Sequence, residues 1–116
     1  MMIEVTILAY LSNALGKTPV YLEEPENPPK EYVLFEKLSE GNKDYLRSGS
    51  FAFQSYSTTL AKTASLSQRV KSAMDVITDN TEIYKSTLNS EYNYTDTETK
   101  RYRYQAVYDL VYYQAN

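Results

Sequence analysis

The chain has 116 residues and a formal charge of −3, with a pI near 4.9, a length that supports one hydrophobic core and so a single domain over residues 1–116. That acidity argues against a nucleic-acid binder held by phosphate electrostatics. The absence of cysteine and histidine excludes disulfides and thiol chemistry, and removes the commonest general base and metal ligand.

The aromatic set is unusual: thirteen tyrosines, three phenylalanines and no tryptophan. Tyrosine prefers strands and joins an apolar ring to a polar tip, which suits sheets and wet interfaces. The opening MMIEVTILAYL lacks a basic n-region and a small-residue cleavage site. Its apolar residues are too few and too interrupted to span a bilayer, so no membrane partner is expected and cytoplasmic synthesis is the expectation.

Ile3, Ile7, Leu8, Leu11 and Leu15 recur at three- and four-residue steps and predict an amphipathic helix. Gly16 supplies its stop, with Pro19 shortly beyond. Val5 and Tyr10 widen the apolar surface. Val20 to Leu22 reads as a short strand. Pro25, Pro28 and Pro29 then make Glu23 to Lys30 a stiff, extended loop. Glu23, Glu24 and Glu26 do not supply the roughly six converging oxygens of a hard-cation site, so a solvated acidic loop facing a basic partner is expected. Tyr32 to Lys37 is the next strand, through Val33, Leu34 and Phe35.

Gly41, Asn42, Gly49 and several charges predict a turn or long hairpin loop over Leu38 to Ser50. SFAFQSY, Ser50 to Tyr56, alternates as a third strand. Leu60, Ala64, Val70, Ala73, Met74 and Ile77 predict a second helix within Thr58 to Ile77, capped by Ser57 or Thr58. Ile83 to Leu88 is a fourth strand that Glu91 to Tyr94 continues or restarts. The polar TDTETK turn, Thr95 to Lys100, joins it to Arg101 to Tyr113 in an antiparallel hairpin with tyrosine pairs across the strands.

That last stretch, RYRYQAVYDLVYY, alternates throughout. Its even positions, Tyr102 to Tyr112, form an aromatic-rich row. Its odd positions begin charged at Arg101 and Arg103 and turn apolar at Val107 and Val111. The predicted order is αβββαββ: an α+β fold with a mostly antiparallel sheet of four to five strands and two helices packed on it.

Chemistry-bearing motifs are missing. There is no phosphate-binding glycine loop, nucleophile elbow or metal box, so neither a cofactor nor an enzyme is expected. Lys100, Arg101 and Arg103 interleaved with Tyr102 and Tyr104 have the residue types of a single-strand nucleic-acid groove. The overall acidity and the single short cluster favour a sheet row whose tyrosines pack on a helix while the arginines sit in water or pair with acids; a third reading places the arginines at a subunit contact, where Arg and Tyr are over-represented.

From Pro19 to Glu36 the sequence resembles the tail-terminator (tail-completion) proteins of long-tailed bacteriophages. The resemblance rests on Pro19, Val20, Tyr21, Glu23, Pro25, Pro28, Pro29, Tyr32, Val33 and Glu36. It continues through FAFQSYS before the second helix and through the C-terminal hairpin at Tyr94, Asp96, Arg103, Tyr104 and Val107. Relatives often follow the second strand with a Thr-Gly-Gly turn. This chain has Lys37-Leu38-Ser39-Glu40-Gly41 there, and contacts of that loop are not carried over.

The resemblance implies an α+β subunit that assembles as a ring, commonly a hexamer, on the head-proximal end of the tail tube. Its partners would be further copies of itself, the major tail tube protein and a head-side connector. Its place would be the virion neck, and no cofactor is carried over. A head-closure neck protein, and in a different class a small single-stranded nucleic-acid-binding regulator, are the competing readings. The candidate protein–protein interface comprises Glu23, Glu24, Glu26, Lys100, Arg101, Tyr102, Arg103 and Tyr104. Arg101→Glu or Arg103→Glu is expected to impair association while leaving the subunit folded.

Overall fold

Helix α1 forms where the sequence places its apolar stripe, over Ile3–Leu15, in a computed structural model that describes residues 2–43 and 46–113. Ile7, Leu11 and Leu15 are buried, Ile3 and Leu8 pack at the margin, and Gly16 ends the helix at φ +64°. That left-handed φ is open to glycine at no steric cost. Strand β1 follows at Val20–Tyr21, then β2 at Tyr32–Lys43 and β3 at Leu46–Tyr56. Helix α2 spans Leu60–Asp75 and runs into a short 3-10 turn, Ile77–Asp79; β4 is Ile83–Asn93 and β5 is Arg103–Tyr113. The fold is α+β in the predicted order. Among the described residues five strands form one sheet in the order β1-β2-β3-β5-β4, with β1 parallel to β2 and the other neighbours antiparallel.

The period-two alternation of β5 holds from Arg103 onward, with Arg101 and Tyr102 preceding the strand, and Gln105 and Val107 of the other parity are buried as well. Ala106, Tyr108, Leu110 and Tyr112 are buried beneath the helices, alongside Phe35, Phe51 and Phe53 from β2 and β3. Leu66, Val70 and Met74 of α2 close this core from above, and Tyr10 of α1 donates its hydroxyl to the Ala73 carbonyl at 2.6 Å. The Phe35–Phe53 stack and the Phe53–Tyr108 edge contact add roughly 0.5–1.5 kcal/mol each beyond area burial. Burial and the Asp75 carboxylate beside it push the Tyr108 phenol well above its ordinary range, so it stays protonated and donates to Asp75 at 2.7 Å. Among the described residues no helix is long and apolar enough to cross a membrane.

Several boundaries differ from expectation. Leu38 to Ser50 is not a loop: β2 runs on to Lys43 and β3 starts at Leu46, with one bulge between Lys37 and Ser39. Pairing with β5 carries that extension, since Leu46 faces Tyr113 and Arg47 faces Tyr112. Gly49 sits in this ladder for lack of space and not for a turn: an added Cβ would lie 3.0 Å from Phe51 Cε1, 3.2 Å from the Ser39 carbonyl and 3.3 Å from the Tyr112 hydroxyl. Asp44 and Tyr45, inside the predicted loop, fall outside the described residues.

The α2 cap is Thr59, whose side chain accepts from Lys62 N–H at 3.1 Å, and neither Ser57 nor Thr58 serves. Leu60 is exposed, while Leu66 together with Thr63 and Ser67 makes the buried stripe. Small polar residues let α2 approach β4, where Ser67 and Lys71 both hold Glu91. Burial opposes ionisation of Glu91, but those two donors outweigh it and keep its carboxyl below the usual range. Strand β4 is one continuous element with two bulges.

The expected pairing of Tyr92 and Tyr94 with Tyr102 and Tyr104 does not form. Tyr104 faces Asn93, Tyr92 faces Gln105, and the Tyr94 N–H donates to the Arg103 carbonyl. Residues of one parity share a face, so a single step in register separates the tyrosines.

Candidate interaction site

The helices cover one face of the sheet, and among the described residues none covers the other. Tyr32, Tyr56 and Arg103 are in register across β2, β3 and β5 on that uncovered face. Tyr32 and Tyr56 nonetheless are almost fully buried, at 2% and 4% exposure. Their cover is aromatic and cationic. The two rings stack at 4.6 Å and 7°, and Tyr21 meets Tyr32 edge-on at 5.9 Å.

Two guanidinium groups close over this stack. Arg101 lies 4.6 Å from the Tyr56 ring centre, and Arg103 lies 5.8 Å from the same ring and 4.2 Å from that of Tyr94. Such contacts contribute about 0.5–1 kcal/mol at exposed sites. Arg101 Nη2 donates to both Glu24 and the Tyr32 hydroxyl, while that hydroxyl donates to Glu24 at 2.7 Å. Burial and the Glu24 carboxylate raise the Tyr32 phenol well above its ordinary range, against the opposing pull of Arg101. Burial disfavours the Arg101 charge, but Glu24 and Tyr32 overcome it and raise the guanidinium further above its usual value.

Arg103 is held differently. Nε donates to the Tyr94 carbonyl at 3.0 Å and Nη1 to the Tyr56 hydroxyl at 3.2 Å. Arg103 forms no ion pair among the described residues, in contrast to Arg101. The Tyr56 hydroxyl donates to the Gln54 Oε1 at 3.0 Å, the Gln54 amide donates to Gln105, and Gln105 in turn donates to the Tyr92 hydroxyl. A polar ladder therefore runs from the arginine pair across β3, β5 and β4.

The hairpin that presents both arginines is set by its turn. Asp96 accepts from the Glu98 N–H at 3.0 Å and from the Thr99 N–H at 3.4 Å. Those N–H groups, the Thr99 side chain and the nearby Arg103 charge hold its carboxyl below the usual range. Lys100 closes the turn at φ +56°, and Asp96 bridges Arg101 in antiparallel fashion.

Of the eight residues singled out from sequence, the fold brings Glu24, Arg101 and Arg103 together. Glu23, Glu26 and Lys100 are exposed and form no ion pair among the described residues. Tyr104 lies on the opposite face in register with Ser55, and Tyr102 takes no part in the ring contacts around Arg103. Sequence reasoning missed Tyr32, Tyr56 and Tyr94. Each lies one position from a residue assigned to the core or a turn, and only the register puts it beside an arginine.

A second polar cluster lies at the other end of the sheet, in a groove of about 680 Å³ between the start of α1, the β2–β3 hairpin and Asn80–Ile83. Its cations are spent internally. Lys37 reaches Glu4 at 3.5 Å and Glu40 at 3.3 Å, and Arg47 reaches Glu40 at 2.9 Å. The Tyr112 hydroxyl also donates to Glu40 and is the main reason that carboxyl sits below its usual range. Among the described residues no three acidic side chains converge as a metal site would require.

No protein-family model matches the chain, and no curated protein matches its sequence.

Proposed function

We propose that this protein is a structural part of phage tail assembly. As a ring of subunits, commonly a hexamer, it caps the head-proximal end of the tail tube, stops tube polymerisation and offers a surface for head–tail joining. The role is non-covalent: one face complements the last tube ring and the other carries no further site for tube protein. Heterologous contacts that close by rotation generate such a ring.

One observation carries the reading beyond the sequence resemblance. Two of the three segments on which the resemblance rests, Pro19–Glu36 and the Tyr94–Val107 hairpin, lie far apart in the chain and are joined by the Arg101–Glu24 pair. The first folds as a unit, because the Pro19 carbonyl accepts the Val33 N–H at 2.9 Å and Val20 pairs with Val33 across the proline loop. Arg101 then ties that loop to the hairpin through Glu24. The exposed Arg101, Tyr92 and Tyr94 beside half-buried Arg103 give this edge the composition of a protein–protein contact. Its arginines are largely satisfied within the chain, which favours a protein partner over a nucleic-acid strand that would need several free cations.

Adding the purified protein to polymerising major tail tube protein tests this directly. The proposal expects tube growth to stop at a length set by the time of addition, with extra density at one tube end by electron microscopy. Tubes that elongate unchanged at saturating protein would sink it.

A further inference from the structure

We propose that the proline loop, Glu23 to Lys30, is a strap that gates the arginine–tyrosine edge. The Glu24–Arg101 clasp holds it shut, and breaking that clasp lays the Tyr32–Tyr56 stack open to solvent. The inference rests on the tail-capping reading for what would use the uncovered rings, and on the contacts for the strap itself.

Few bonds join this loop to the fold. Among the described residues Glu23 to Lys30 make no backbone hydrogen bond. Pro25, Pro28 and Pro29 have no N–H to offer and fix φ, so the segment is stiff and moves as a piece. All of it is exposed except half-buried Pro25. Its ion pairs lie at its two ends: Glu24 to Arg101 inside the loop, and Glu31 to Arg69 at 3.6 Å just beyond it. Side chains of both pairs are 38% to 48% exposed, so each tie is weak and screened by salt.

Beneath the strap the situation is reversed. Tyr32 and Tyr56 are almost fully buried, yet they lie on the sheet face that no described helix covers. Glu24 accepts from the Tyr32 hydroxyl, and Arg101 donates to that hydroxyl while its guanidinium covers the Tyr56 ring. Two large rings are thus shielded by long, solvated side chains, and loss of one exposed ion pair frees both of those side chains together. The sheet does not have to open with them. The Pro19 carbonyl accepts the Val33 N–H, and Val20 and Tyr21 stay in register with Val33 and Leu34. The strap therefore pivots between Leu22 and Glu31, as a local opening well below the free energy of global unfolding.

The test is hydroxyl-radical footprinting of the full chain, read residue by residue by peptide mass spectrometry, since ring oxidation reports solvent access and not phenol ionisation. Tyr84 and Tyr113, at 62% and 58% exposure, set the reference rate, and buried Tyr108 reports global unfolding. At low salt Tyr32 and Tyr56 are expected to be protected. Glu24→Gln should speed oxidation of Tyr32 about threefold, the worth of an exposed pair. Arg101→Gln should speed it about tenfold, because the cation–π contact goes as well. Raising NaCl to about 1 M, where the Debye length is about 3 Å, should speed it about threefold in the unmodified chain. Tyr108 stays protected throughout. Protection of Tyr32 that neither variant nor salt changes overturns the proposal. So does exposure of Tyr32 only together with Tyr108, which would make the loop part of the cooperative core. A strap that opens in a protein that fails to cap tubes leaves the gate standing, and capping by a protein whose strap never opens removes the gate alone.

Discussion

Replacing Arg101 by glutamate removes the link between the proline loop and the C-terminal hairpin, and its cost can be worked from the contacts. The Arg101–Glu24 pair is exposed, at 46% and 38% for the two side chains, so solvent limits its worth to about 0.2–1 kcal/mol. The guanidinium over Tyr56 adds about 0.5–1 kcal/mol. Arg101→Glu should therefore destabilise by about 1–2 kcal/mol, the upper end reflecting a second carboxylate beside Glu24. For a domain of this size that is a fall in Tm of roughly 5 °C with cooperative unfolding retained. Urea denaturation followed by circular dichroism gives the number. A cycle of Arg101→Gln, Glu24→Gln and the double variant isolates the pair, with an expected coupling of about 0.5 kcal/mol. Additive single effects would show that the pair contributes nothing. A loss above about 4 kcal/mol would make the clasp part of the core, contrary to its exposure.

Three further outcomes follow from local geometry. Lys100→Gly should stabilise by about 0.5–1 kcal/mol in urea melts, because a lysine at φ +56° bears a steric cost that glycine avoids. Gly49→Ala should cost about 1–3 kcal/mol, since the new methyl meets Phe51, the Ser39 carbonyl and the Tyr112 hydroxyl at 3.0–3.3 Å. In an alkaline titration read at the phenolate absorbance, the contributions of Tyr32, Tyr108 and Tyr112 should develop well above pH 10. All three are raised above the ordinary 10.0, first by burial and then by the carboxylates they serve. A phenol raised in the fold contributes stability that is intact below pH 10 and is lost as pH climbs through its folded value. The late ionisation should thus coincide with unfolding. Thirteen tyrosines titrating as one class would refute it.

The elements were legible wherever one physical signal dominated. The 3.6-residue stripe from Ile3 to Leu15 and the alternation from Ala106 to Tyr112 each marked a buried face, and both faces pack into the core. The stretch Leu38–Ser50 misled because glycine and charge mark turns in isolation. There the neighbouring β5 completes the ladder, and Gly49 answers a packing demand from residues distant in sequence. Helix α2 lies within its expected bounds, but its cap and stripe were misread for a related reason: the buried stripe includes Thr63 and Ser67, which satisfy themselves on Thr59 and Glu91 and so escape a hydrophobic count. The candidate site was half legible. Arginines between tyrosines flagged the hairpin, and three glutamates flagged the loop. That Glu24 meets Arg101 depends on the parallel pairing of β1 with β2 and on the β2–β3–β5 register. Neither is written locally in the chain.

The central claim is that this subunit ends the tail. It is tested most directly by measuring tail lengths by electron microscopy in lysates of a phage lacking the gene, with and without the protein supplied in trans. The account predicts tails of uncontrolled length that fail to join heads, restored to one length and joined to heads by the supplied protein. Tails of normal length, attached to heads without it, would contradict the account.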